Sequence, residues 1–194
     1  MNQTNSSADT YRAAWPTAVG LICMIYGFFS LVINVWGILR PWMKGPMARM
    51  TEEPPPPLPF GLMMLVILGG AGGVLLAMLL MFGGLNLMRR KVWGVFVLKS
   101  WVAMKFLEVA IAAGCSYALL DSMVEHQLKM QEYELMIFAE NNGDIEKYDK
   151  VSKADMRSLA LTGSLMSMPF VLIWPATVWV VLSSRARKKQ ILNW

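Results

Sequence analysis

The sequence predicts an all-α protein, a four-helix transmembrane bundle with an extracytoplasmic helical hairpin between its third and fourth spans. Three observations carry that prediction. Four apolar stretches, at about 16–39, 60–88, 92–120 and 161–182, reach the ~20 residues that a bilayer core requires of a helix. The chain of 194 residues is 56% hydrophobic and only 16% charged, whereas soluble domains carry about 25% charged residues. A water-soluble fold of this length that buried four central helices would have almost nothing left for a solvated shell. The net charge of +5 does not indicate nucleic acid, because the charges follow the ends of the apolar stretches and form no single basic face.

Residues 1–14 are polar and aperiodic and read as a disordered tail, with residues 15–194 forming one membrane domain. Trp15-Pro16 opens the first helix, since tryptophan suits the membrane interface and proline is tolerated in a first helical turn. Along this span Gly20, Cys23, Gly27, Ser30, Asn34 and Gly37 recur at alternating steps of three and four, so one face is small and polar. Leu21, Ile22, Ile25, Phe28, Phe29, Val32 and Ile33 fill the rest, as expected when one stripe packs on protein and the remainder meets lipid. The apolar run exceeds the about 7–15 residues of a signal-peptide core and lacks a small-x-small cleavage site, so the segment is expected to be retained as a span.

The loop at 40–59 contains Arg40-Pro41-Trp42 and four consecutive prolines, Pro54 to Pro57, whose polyproline geometry makes it a stiff strap. In the second span Gly69, Gly73 and Ala77 follow at four-residue spacing and Gly84 lies seven further on, a face suited to close helix contact. These glycines lie inside an apolar helix, which rules out a dinucleotide-binding loop of the strand-turn-helix kind. The third stretch, 29 residues long, rises ~43 Å against a core of ~30 Å, so it is expected to protrude. Its helical pattern continues outward through Val124, Leu128, Leu135 and Phe138 until Asn141-Asn142-Gly143-Asp144 breaks it. A weaker stripe of Ile145, Tyr148, Ser152, Met156 and Leu159 leads into the fourth span, which makes 121–160 an antiparallel helical hairpin. In the fourth span Pro169 and Pro175 each free a carbonyl four residues earlier and predict a kink, with Ser164, Ser167 and Thr177 at hand to satisfy the freed groups.

Orientation follows from Lys and Arg beside the spans. With both termini cytoplasmic, eight such residues fall on each side, but the inner ones are dense: Arg89-Arg90-Lys91 fills one tight turn and Arg185, Arg187, Lys188 and Lys189 follow the last span at once. Nine of the thirteen acidic residues lie in the third loop, which favours the same assignment. Cys23 and Cys115 should then sit ~20 Å apart in depth, too far to bridge.

Ionisable groups inside a membrane cost at least ~2.5–3.5 kcal/mol each, which makes them functional candidates. There are three, Lys99, Lys105 and Glu108, all on the third helix. Lys99 is near enough to the cytoplasmic turn to snorkel. Lys105 and Glu108 are three apart on one face and can pair, a face that continues through Ala112 and Cys115 toward the bundle. Asn34 and Asn86 also require hydrogen-bond partners. A proton or ion relay needs several acidic groups or histidines in series, and this pattern supplies one carboxylate. His126 is the only histidine, so no zinc, bis-histidine haem or triad site can be built from one chain. The seventeen methionines sit mostly at helical packing positions, where gap-filling is their usual role.

The segment Gly84-Leu85-Asn86-Leu87-Met88-Arg89-Arg90-Lys91-Val92-Trp93-Gly94, the opening Pro16-Thr17-Ala18-Val19-Gly20 and the closing Leu182-Ser183-Ser184-Arg185 resemble elements of small uncharacterised bacterial four-span membrane proteins. The resemblance covers about a third of the chain and implies a bacterial cytoplasmic membrane and four spans; that group has no assigned activity. The expected function is that of a non-enzymatic structural or accessory membrane component. Its helices associate through Gly20, Gly27, Gly69, Gly73, Ala77 and Gly84, and its partners are the lipid bilayer and other membrane proteins or a second copy. No cofactor, metal or nucleic acid is expected. The alternative is a small transporter, channel or relay component using Lys105 and Glu108.

Overall fold

The structure is a computed structural model and describes residues 14–48, 55–142 and 152–184. Most of the expected N-terminal tail, the basic stretch after residue 184 and residues 143–151 of the expected hairpin lie outside the described residues. Among the described residues there is no strand, and five helices follow in order: α1 (Trp15–Ala48), α2 (Phe60–Met88), α3 (Val92–Ala118), α4 (Leu120–Asn142) and α5 (Lys153–Ser183). Three of them are long and apolar enough to cross a membrane: α1 over Trp15–Arg40, α2 over its full length, and α5. α3 has 27 residues, which is long enough to span, but Lys99, Lys105 and Glu108 set its middle apart from the other three.

Several boundaries differ from those read in the sequence. α1 does not stop at residue 39 but runs to Ala48, through Pro41 and Pro46. The fixed φ of proline is itself helical, so each ring costs one backbone bond and the helix persists. Pro54 lies outside the described residues, and Pro55 to Pro59 precede α2 without regular structure. α3 and α4 are separated by a single turn residue, Leu119, across which the i to i−4 pattern continues: Leu119 N–H donates to Cys115 O at 3.0 Å and Met123 N–H to Leu119 O at 2.9 Å. α4 is described as far as Asn142. α5 starts at Lys153 because Ser152 caps it. The Ser152 hydroxyl accepts from Asp155 N–H at 3.1 Å and donates to the Asp155 carboxylate at 2.6 Å, a reciprocal arrangement of the capping-box kind.

The chain divides into two compact units. The first comprises Met1–Val35, Ala71–Glu108 and Val171–Trp194. Its core is Cys23, Leu76, Leu80, Leu87, Val95, Leu98, Trp101, Val102, Val178 and Leu182, flanked by Trp15, Val19, Leu79 and Trp174. Within it α1 and α2 run antiparallel, because Gly20 meets Gly84 and Met88, Gly27 meets Ala77 and Met81, and Asn34 meets Gly73. α2 and α3 are antiparallel too, with Gly83 against Leu98 and Gly94 against Asn86 and Leu87. α5 enters through Trp174, whose ring lies 5.8 Å from that of Tyr26, and ends at the buried Leu182. The second unit comprises Trp36–Gly70 and Val109–Phe170. Leu62, Leu120 and Val124 are buried there, and Gly61 lies against Leu119. Two ion pairs join α4 to α5, Arg157 to Asp121 at 3.8 Å and Lys153 to Glu125 at 3.5 Å. A step of four forward on α4 is matched by a step of four back on α5, the register of two antiparallel helices.

The turn between α2 and α3 is closed by a backbone lock. Lys91 N–H donates to Asn86 O at 3.0 Å and Arg90 N–H to Leu87 O at 2.9 Å, the two bonds of a Schellman cap. Such a cap needs a left-handed residue, normally glycine. Arg90 takes that role, with φ of 53°.

Candidate functional site

The sequence confines its polar chemistry within the apolar helices to a few side chains on α1, α2 and α3, and the packing of glycines decides what surrounds them. A Cβ at Gly20 would lie 2.6 Å from the carbonyl oxygen of Gly84, and one at Gly84 would lie 2.7 Å from that of Gly20 and 3.0 Å from Cys23 Cβ. Backbone therefore meets backbone, which is what the alternating small residues of α1 make possible. One Cβ at Gly27 would lie 3.1 Å from Ala77 O and 2.6 Å from the Met81 side chain. From Gly20 to Asn34 this contact runs about 21 Å at the rise of an α-helix. Gly69 is not in it, since a Cβ there would meet nothing within 4 Å; Gly37 is equally open.

Asn34 fills the space that a side chain at Gly73 would take, its amide group overlapping the position of that absent Cβ. Its amide nitrogen donates to Ser30 O at 2.7 Å and to Ser30 Oγ at 3.3 Å. Asn86, 7% exposed, donates to Phe82 O at 2.8 Å. Both asparagines thus spend their donors one turn back on their own helix, not on a neighbouring one.

On α3 the buried face comprises Gly94, Val95, Val97, Leu98, Trp101 and Val102. Lys105 and Glu108 continue it and form an i, i+3 ion pair, with 18% and 24% of their side chains exposed. Pairing offsets much of the desolvation cost that either charge would meet alone. Beyond them Cys115 is half-buried and Ala112 is exposed, so the inward face expected to extend past Glu108 loses its cover. Lys99 lies on the same helix, with its ammonium 5.9 Å from the centre of the Trp179 ring on α5. That distance is within the range of a cation–π contact. Cys23 and Cys115 are both free thiols.

The structure also brings in residues that the sequence reading did not single out. Gly83 and Gly94 carry the α2–α3 approach, with a Cβ at Gly94 only 2.6 Å from Leu87 N and 2.8 Å from Asn86 C. Their signal in the sequence was weak, because neither belongs to the four-residue series of α2. Trp179 gave no clue at all, since a cation–π partner depends on tertiary geometry. In α5, Thr177 Oγ1 donates to Ile173 O at 2.8 Å, so it does not serve Val171, the carbonyl that Pro175 frees. The Trp174 indole nitrogen is buried and has no hydrogen-bond partner among the described residues.

Chemically, this set of groups can clasp helices and hold one compensated charge pair. In comparisons with protein-family models, curated proteins and solved structures, nothing matches this chain.

Proposed function

We propose that the protein is a four-span component of a bacterial cytoplasmic membrane that acts by assembly: its helices form a tightly packed scaffold, and the α4–α5 arm outside the bilayer receives partner proteins. One observation carries this reading. Asn34, Asn86, Lys105 and Glu108 each spend a side-chain bond within their own helix, so the polar groups are committed to internal satisfaction and not arrayed along a path. α3 serves as the remaining span, its charge pair compensated and Lys99 covered by Trp179. The α4–α5 ion pairs support an antiparallel hairpin, and the acidic residues concentrated at 121–160 suit a solvated arm that meets basic surfaces. Within the first unit the start of α1 and the end of α5 contribute to one core through Trp15, Val19 and Leu182, which supports termini on one face of the membrane.

The relay reading makes Glu108 a proton carrier. Protein reconstituted in liposomes is expected to conduct no protons under an imposed pH gradient, and Glu108→Gln is expected to lower stability without changing flux. A proton or ion flux in the wild type that Glu108→Gln abolishes in folded protein would overturn the assembly reading.

A further inference from the structure

Arg89 and Lys91 in the α2–α3 turn carry charge that helix packing does not use. Arg89, Arg90 and Lys91 are consecutive and all exposed, and the sequence has no acidic residue between Pro54 and Leu107. Among the described residues neither Arg89 nor Lys91 has an acidic partner. The backbone that presents them is fixed at both ends. The Schellman bonds of Arg90 and Lys91 close α2, Gly94 N–H donates to Lys91 O at 2.9 Å to open α3, and Gly94 rests directly on the backbone of Asn86 and Leu87. Cations held on a rigid turn lose less conformational freedom on binding than cations on a loose loop.

Beside them, on the first two turns of α3, Trp93 and Phe96 stack with ring centroids 5.3 Å apart. These rings are 58% and 59% exposed, so they add little to the core. An aromatic pair at the start of α3, next to cations that follow the end of α2, a helix apolar enough to span, has the layering of a bilayer interface: rings at the level of the upper acyl chains, cations at the level of the phosphates. A soluble anion would use the cations but not the rings. A lipid uses both.

We infer that the α2–α3 turn binds the headgroup of an anionic phospholipid. Arg89 and Lys91 pair with its phosphate, the guanidinium by its planar fork and the ammonium as a point charge, and the Trp93–Phe96 pair packs along the glycerol and upper chain. The charge distribution favours this occupant over an acidic protein, because the rings adjoin the apolar span and not a solvated loop.

The test uses the full-length protein in phosphatidylcholine bilayers that contain either spin-labelled phosphatidylglycerol or spin-labelled phosphatidylcholine. The motionally restricted fraction gives the relative association of the two lipids. Wild type is expected to prefer phosphatidylglycerol, and Arg89→Gln with Lys91→Gln to reduce that preference by about five-fold per cation, until it is lost. Trp93→Ala should weaken it and Trp93→Phe retain it. Lys129→Gln with Lys153→Gln makes the same change in net charge on α4 and α5 and should leave the preference intact. Circular dichroism confirms that each variant remains helical. The inference is overturned if wild type shows no preference, if the turn variant retains it, or if the two double variants reduce it equally, since the last result would mean attraction by net charge alone.

Discussion

Replacing Gly84 by alanine adds one methyl group at the Gly20 end of the α1–α2 contact. The new Cβ would stand 2.7 Å from the Gly20 carbonyl oxygen and 3.0 Å from Cys23 Cβ. Ordinary contact begins near 3.4 Å, so the helices must part by about 0.7 Å along a seam where backbone meets backbone. Overpacking of this kind costs roughly 1–3 kcal/mol, and the better helix propensity of alanine returns at most about 1 kcal/mol. The net expectation is a loss of about 1–2 kcal/mol. Gly69→Ala is the matched control from the same sequence series, where the methyl group meets nothing within 4 Å, so the propensity term alone makes it neutral or stabilising by up to about 1 kcal/mol. Denaturant titration in bicelles, read by tryptophan fluorescence, measures both. Equal stabilities for the two variants, or Gly69→Ala as the weaker, would refute the assignment of this seam.

Three more predictions follow from the charged and strained residues. Lys105→Met and Glu108→Gln should each cost about 1–3 kcal/mol by leaving one charge unpaired, while the double replacement of both by methionine should lie within about 1 kcal/mol of wild type, so the same titration should reveal strong coupling. Arg90→Gly should stabilise by roughly 1 kcal/mol, because glycine accepts the left-handed conformation that arginine holds under strain; a lower midpoint would contradict the cap. Carbodiimide should join Glu125 to Lys153, 3.5 Å apart, and mass spectrometry of the digest should recover that linked peptide pair. Its absence from folded protein would contradict the α4–α5 register.

The sequence made the α1–α2 seam legible because lateral contact in a membrane leaves a record in residue size: Gly20, Cys23, Gly27 and Asn34 recur at helical spacing, and Gly73, Ala77 and Gly84 answer them. It could not distinguish Gly69 from Gly73, since both continue one series and only the position of Asn34 separates them. Pairing of Lys105 with Glu108 was legible for the same local reason, a three-residue step on one helix. Trp179 over Lys99 was not, because nothing local links residues eighty positions apart. The helical course of residues 40–48, read from the sequence as part of the proline-rich loop, was not legible because prolines at 41 and 46 argue against helix by propensity, while their fixed φ is compatible with it. Arg90 escaped notice because the usual sign of a Schellman cap is a glycine, and none stands there.

In the proposed topology the helices cross the bilayer four times, with residues 14, 91 and 184 on one side and α4 on the other. Single cysteines at Ala14, Lys91, Lys129 and Ser184, placed in a chain whose Cys23 and Cys115 are replaced by alanine, can be labelled in sealed vesicles of known orientation with a membrane-impermeant maleimide. Positions 14, 91 and 184 are expected to label from one side and position 129 only from the other. Labelling of 91 and 129 from the same side, or of 14 and 184 from opposite sides, would contradict that topology.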